Sequence, residues 1–285
     1  MNKEKIALLV DSCTDVPDEM IEKYNMFVIP LKIIYKDHVY TDKVDITAED
    51  VYQNLTTEIP STSLPDGQEI TTIFDKIKAE GYQKVIVVTI SSGLSGTNNL
   101  VRLIAEQYTS LDVFVLDTKN IGIGSGMQGT QAGQLIAEGL DWETIKTTLS
   151  ATIAKSKVFF CVDTLLYLQK GGRIGLVSSI LGGALNLRPI ISCNTDGVYY
   201  TVSKVRGRKK SLARAVQLAT EFIGTHKRFN LAIVDGAAKP EAKEIAKELQ
   251  VLFPNAEAIL EGPVGPALGV HTGPGLIGIG IQLLD

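Results

Sequence analysis

Lys84-Val85-Ile86-Val87-Val88-Thr89-Ile90-Ser91-Ser92-Gly93-Leu94-Ser95-Gly96-Thr97 decides the reading of the fold. After its lysine the run is apolar or β-branched through Ile90, without the alternation of a strand that faces water. It therefore predicts a strand buried on both faces. The run ends in hydroxyls and glycines, and residues 98–108 then repeat apolar positions with helical period. Residues 113–116 are another short apolar run. Strand, helix and strand at this spacing predict parallel strands joined by right-handed crossovers.

Toward the N-terminus, residues 6–10 read as a buried strand ending in Asp11-Ser12, and Asp15 with Pro17 suggests a capped helix start. Residues 27–35 read as one strand and residues 49–55 and 69–80 as helices; Pro60 to Pro65 read as a loop carrying Ser61, Thr62 and Ser63. Residues 127–138 and 142–150 have helical period. From residue 158 the character changes. Short strands at 158–162, 188–193, 199–205, 231–234 and 276–284 mix with helices at 212–222 and 240–253. A glycine- and serine-rich stretch runs from Gly171 to Gly183, and Asp196-Gly197 marks a hairpin turn. The expected fold class is α/β with two domains: a parallel-sheet α/β domain over residues 1–157 and an α+β domain with a mixed sheet over residues 158–285.

Hydrophobic residues make up 45% of the 285 and charged residues 21%, the balance of a globular chain. A net charge of −4 gives no general attraction to nucleic acid or to anionic membranes. No apolar run approaches the ~20 residues of a membrane helix, so no integral membrane segment is expected. Cys13, Cys161 and Cys193 are scattered, with neither metal-ligand spacing nor a disulfide framework. With an N-terminus that leads straight into a strand, they predict a reducing cytoplasm.

Gly124, Gly126 and Gly129 match the dinucleotide pattern G-x-G-x-x-G, but seven residues, Asp117 to Ile123, separate them from their strand. Gly273, Gly275 and Gly278 match it too, yet a strand follows them rather than a helix. The segment Ser91–Thr97 sits where ligands of open α/β sheets bind, at the carboxyl end of a strand and before a helix. Its hydroxyls suit an anion; equally, they can cap their own turn. It lacks the G-x-S-x-G elbow, and only three histidines exist to serve as a base, which argues against a nucleophilic serine. His38 and His226 lie in polar surroundings, whereas His271 lies in Gly269-Val270-His271-Thr272-Gly273-Pro274-Gly275, read as a glycine-rich turn. There it can donate to a ligand carboxylate or cap the turn. The basic run Lys204–Lys210 has no interleaved aromatic residues, so nucleic acid is not the expected partner.

Six dispersed pieces, in order and across nearly the whole chain, resemble the DegV family of fatty-acid-binding proteins. They are Val10-Asp11-Ser12, Ser61-Thr62-Ser63-Leu64-Pro65, Ser91–Thr97, Asp163 through Ile174, Lys204–Lys210, and His271-Thr272-Gly273-Pro274-Gly275. The resemblance implies one long-chain fatty acid buried between two domains, no further cofactor, no catalytic set, and a separate fatty acid kinase that phosphorylates the carboxylate. By position it implies that Thr62 with Ser92 or Ser95 holds the carboxylate, with His271 nearby. Arg173 and Arg206 would stand at the pocket mouth or on the kinase-docking face. Asp117-Thr118-Lys119-Asn120 stands where many relatives carry a serine-rich run. An enzyme acting on a small carboxylated or phosphorylated metabolite is the competing reading of the same anion-binding edge.

Overall fold

Buried strands open the chain and set its layers. In this computed structural model, which describes residues 2–180 and 187–285, the strands are β1 (Ile6–Asp11), β2 (Phe27–Ile29), β3 (Lys32–Ile34), β4 (Val39–Thr41), β5 (Ser61–Ser63), β6 (Lys84–Thr89) and β7 (Asp112–Asp117), then β8 (Ser156–Cys161), β9 (Leu187–Cys193), β10 (Tyr199–Arg206), β11 (Phe229–Gly236), β12 (Ala258–Pro263) and β13 (Leu276–Leu283). The helices are α1 (Asp18–Lys23), α2 (Ala48–Asn54), α3 (Gly67–Ala79), α4 (Thr97–Ala105), α5 (Ile123–Ala137), α6 (Trp142–Thr152), α7 (Leu166–Lys170), α8 (Arg208–Ile223), α9 (Lys239–Leu252) and α10 (Pro266–Thr272). Among the described residues no helix is long and apolar enough to cross a membrane.

The fold is mixed α/β. An N-terminal parallel sheet has the order β2-β1-β6-β7, and a C-terminal mixed sheet has the order β10-β9-β8-β13-β11-β12. In the second sheet only β11 and β12 run parallel; the other pairs are antiparallel. Helices α3 and α4 cover one face of the first sheet through Phe74, Ile77 and Val101, and α6 covers the other through Trp142, Ile145 and Leu149. Helices α8 and α9 close the outer face of the second sheet. Burial on both faces is why β1 and β6 read as continuous apolar runs.

Helix α5 lies between the two sheets, touching β1 and β6 on one side and β8 and β13 on the other. Its glycines make that approach possible. A Cβ on Gly126 would stand 2.5 Å from the Thr14 carbonyl oxygen, and one on Gly133 would stand 2.5 Å from the Tyr24 ring. The G-x-G-x-x-G pattern here is thus a stripe of close packing.

Some expectations need correction. Residues 27–35 are two strands in two sheets, because Pro30 between β2 and β3 has no N–H to continue a ladder. Ser61–Ser63 is a strand rather than a loop: it pairs antiparallel with β3, setting Thr62 opposite Ile33 in a small sheet of order β4-β3-β5. Asp15 caps no helix but takes the left-handed conformation at φ 49°, and α1 begins at Asp18. His271 lies in the last turn of α10, not in a glycine-rich turn. Strands β4 and β12 had no clear sequence signal. Of the glycine-rich stretch from Gly171 to Gly183, residues 181–183 lie outside the described residues.

Candidate functional site

Three elements from distant parts of the chain meet where the two sheets face each other. β5 brings Thr62, α10 brings His271, and the turn after β6 brings Ser95. Thr62 Oγ1 lies 2.7 Å from His271 Nε2 across 209 positions of sequence. Both side chains, with Ser95, Ser63 and Arg173, line a narrow cavity of about 40 Å³. Among the described residues no carboxylate lines it. Cys13 and Leu31 from the first half, and Leu268 from the second, supply apolar wall.

Helix α10 is held by the other half at both ends. Its N-terminal amides, which lack helical partners, are met by carboxylates: Gly265 N–H donates to Asp15 at 3.2 Å and Ala267 N–H to Asp42 at 2.9 Å. Ser12 donates to the other oxygen of Asp42 at 2.6 Å, and Lys43 pairs with Asp15 at 2.7 Å. At its C-terminus His271 meets Thr62. Burial pushes the Asp42 carboxyl above its ordinary value, and it pushes Asp11, which accepts the Ile90 N–H at 2.7 Å, to about 7.

His271 is 8% exposed, and burial, aided by the positive charge of Arg173, lowers its pKa to about 4. The ring is therefore neutral at pH 7. Its Nδ1 has no hydrogen-bond partner, and a Cβ on Gly171 would overlap it. A buried N–H without an acceptor is costlier than a bare ring nitrogen, which favours the proton on Nε2. Thr62 then accepts from His271 and keeps its own O–H free to donate into the cavity. Arg173 is fixed by its own neighbours, donating to the carbonyls of Gly171 at 2.8 Å and Leu94 at 3.4 Å.

The two serines face different ways. Ser95 lines the cavity and shares a 2.9 Å hydrogen bond with Thr97. Ser92 is not on the cavity wall; its hydroxyl accepts from Lys119 at 3.0 Å, and its N–H donates to Asp117 at 3.1 Å. Ser91 serves its own turn through the Gly93 N–H. Arg206 ends β10, exposed on an edge strand and away from the cavity. The basic run around it is divided: Arg208 opens α8 and is tied to Glu241 and Asp163.

A second, apolar cavity of about 30 Å³ continues from the first. Ile121, Tyr199, Leu268 and Thr272 belong to both walls. Beyond them the wall is mostly apolar, with Ile123, Val158, Phe160, Val234, Val264 and Leu276, and it also includes Asp15. One end of the combined space carries hydroxyls, a neutral histidine and an arginine; the other is mainly hydrocarbon, with the Lys43-paired Asp15 in its wall. Sequence reasoning did not single out Ile121, Tyr199 or Leu268, because an apolar residue lining a cavity has the same local pattern as one in the core.

Fold and site define a two-sheet α/β protein with a narrow, polar-headed and largely apolar cavity between its sheets. The chain belongs to the DegV family: the family model described as "Uncharacterised protein, DegV family" matches residues 5–283. A DegV domain-containing protein of Clostridium acetobutylicum is 41% identical over 276 residues, 97% of this chain and 98% of its own. Among solved structures, a fatty-acid-binding DegV family protein from Thermus thermophilus superposes with a TM-score of 0.93 at 27% identity, covering 100% of both chains. A stearic-acid-binding protein from Eubacterium ventriosum superposes at 0.89 with 28% identity, covering 98% of each chain.

Proposed function

We propose that this protein holds one long-chain fatty acid, its carboxylate against Thr62, Ser95, His271 and Arg173 and its chain along the apolar cavity. It then offers that carboxylate to a separate fatty acid kinase, which transfers a phosphoryl group to it and forms an acyl-phosphate. The observation that carries the reading is the cavity's polarity: the Thr62–His271 pair stands at one end, and the other is lined mainly by hydrocarbon, its one carboxylate, Asp15, being paired with Lys43. A buried carboxylate is costly unless donors and positive charge surround it. The Thr62 and Ser95 hydroxyls and the Arg173 guanidinium are such a set, with Nε2–H of His271 orienting Thr62 so that its O–H points to the ligand. Each methylene removed from water contributes about 0.8 kcal/mol, which offsets the remaining cost of the head group. The ligands named for the Thermus and Eubacterium proteins support the same class of molecule. The hydrocarbon half of the cavity speaks against a small polar metabolite as substrate.

Arg206, exposed on the edge strand β10, is the residue proposed to meet the kinase. No cofactor is proposed for this chain; the phosphoryl donor belongs to the kinase. Protein purified from bacteria should carry a fatty acid in native mass spectrometry, and delipidated protein should take up labelled palmitate or oleate. Failure to bind either acid would remove the proposal. With a bacterial fatty acid kinase added, Arg206→Ala should lower acyl-phosphate formation more than lipid binding; equal losses would place Arg206 in the pocket.

A further inference from the structure

The apolar cavity has one wall with open space behind it. Asp15, Ile123, Val234 and Val264 line this cavity and also a cleft of about 590 Å³ between the segment leading into α1 and the β12–α10 loop. The other walls are backed differently. Val158 and Phe160 lie on β8, flanked by β9 and β13, and Leu276 lies on β13, between β8 and β11. The outer face of that sheet is packed under α8 and α9. The two narrow cavities measure about 40 and 30 Å³. That is well short of a long acyl chain, so its last methylenes must displace a wall, and a close-packed sheet yields less readily than a wall facing a void.

The cleft can take such a tail on part of its wall: Pro17, Ile46, Leu260, Pro263 and Pro266 continue its apolar surface, while the Asp15–Lys43 ion pair, Asp18, Glu19 and Glu261 supply its polar remainder. Asp15 also accepts the Gly265 N–H, so a polar strut between the two halves borders the apolar passage. We infer that the terminal methylenes of a long acyl chain pass between Ile123, Val234 and Val264 into this cleft, and that the wall and cleft together set the chain length the protein accepts. This rests on the fatty-acid reading of the site.

Gly262 gives a clean test. It lies on the cleft wall, and a Cβ added to it meets nothing within 4 Å, so Gly262→Trp fills the cleft from its open side without disturbing the core. Binding of saturated acids from dodecanoic to icosanoic would be measured on delipidated wild type and variant, with thermal melting to confirm equal stability. The expected result is unchanged affinity for dodecanoic acid and a loss for octadecanoic and icosanoic acids of about fourfold per excluded methylene. Val264→Ala, which thins the wall, should move the preference toward longer acids. Identical length profiles for wild type and Gly262→Trp, or an equal loss at every length, would overturn the inference while leaving the fatty-acid reading intact. A wild type that binds none of the acids would overturn both.

Discussion

Replacing Gly171 by alanine tests the head-group site through a single added carbon. Gly171 has φ −77° and ψ −4°, a conformation alanine adopts without strain, so the backbone gives no reason for the change to matter. The new Cβ, however, would overlap Nδ1 of His271 and stand 2.6 Å from its Cε1. His271 is buried on the last turn of a helix tied at its other end, so the ring must swing into the cavity or α7 must lift. Either movement breaks the 2.7 Å contact with Thr62 and disturbs Arg173, which is anchored on the Gly171 carbonyl. Overpacking of this kind costs about 1–3 kcal/mol of stability. A lost hydrogen bond to a charged ligand costs about 1.5–3 kcal/mol, roughly ten- to a hundred-fold in affinity. Isothermal titration with palmitate and with its methyl ester, alongside urea unfolding, separates these effects. The acid should lose affinity while the ester, which carries no charge to be clamped, should lose much less. Full affinity for palmitate in Gly171→Ala, with its histidine still titrating near 4, would refute the proposed carboxylate site.

Other outcomes follow from the same geometry. Because burial holds His271 near 4 against an ordinary 6.5, its folded form favours the neutral ring, a contribution complete above pH 6.5 and lost as pH falls toward 4. The span is worth about 3 kcal/mol. Asp11 works in the opposite sense, since its carboxyl is raised to about 7 and its contribution falls as pH rises from 3.8. The measurement is therefore the difference in unfolding free energy between wild type and His271→Gln from pH 4 to 7.5, and a flat difference would contradict the assignment. Ser95→Ala combined with Thr62→Ala should reduce palmitate affinity at least tenfold, whereas Ser92→Ala should change it less than twofold, as read by the same titration. Gly126→Ala should destabilise the protein by about 1–3 kcal/mol in urea, because alanine's gain in helix propensity, about 1 kcal/mol, is outweighed by collision with the backbone at Thr14.

The parallel sheet was legible because its information is local: residues 85–90 and 6–10 are apolar or β-branched on both faces, as a doubly covered strand requires. Strand β5 was not, since three hydroxyl residues between two prolines carry no strand signal of their own. Its partner β3 supplies the ladder. Helix α10 had one local sign, Pro266 at its first position. Seven residues are too few to show a period, and its caps come from Asp15 and Asp42, 250 and 225 positions away. The choice between Ser92 and Ser95 depended on Lys119, in a different crossover loop, taking the hydroxyl of Ser92. Residue types and their order thus pointed to the site. Which group faces the cavity was decided by contacts between residues far apart in the chain.

A helix tied at both ends to the opposite half has a kinetic consequence. Separation of the halves along this seam must undo the Asp15 and Asp42 contacts at one end of α10 or the Thr62 contact at the other. Whatever occupies the cavity then leaves only as fast as one end of α10 lets go. Residence time and affinity become separately adjustable: the Asp42 carboxylate, which lines neither cavity, governs how long a ligand stays, and the walls it touches govern how well it fits.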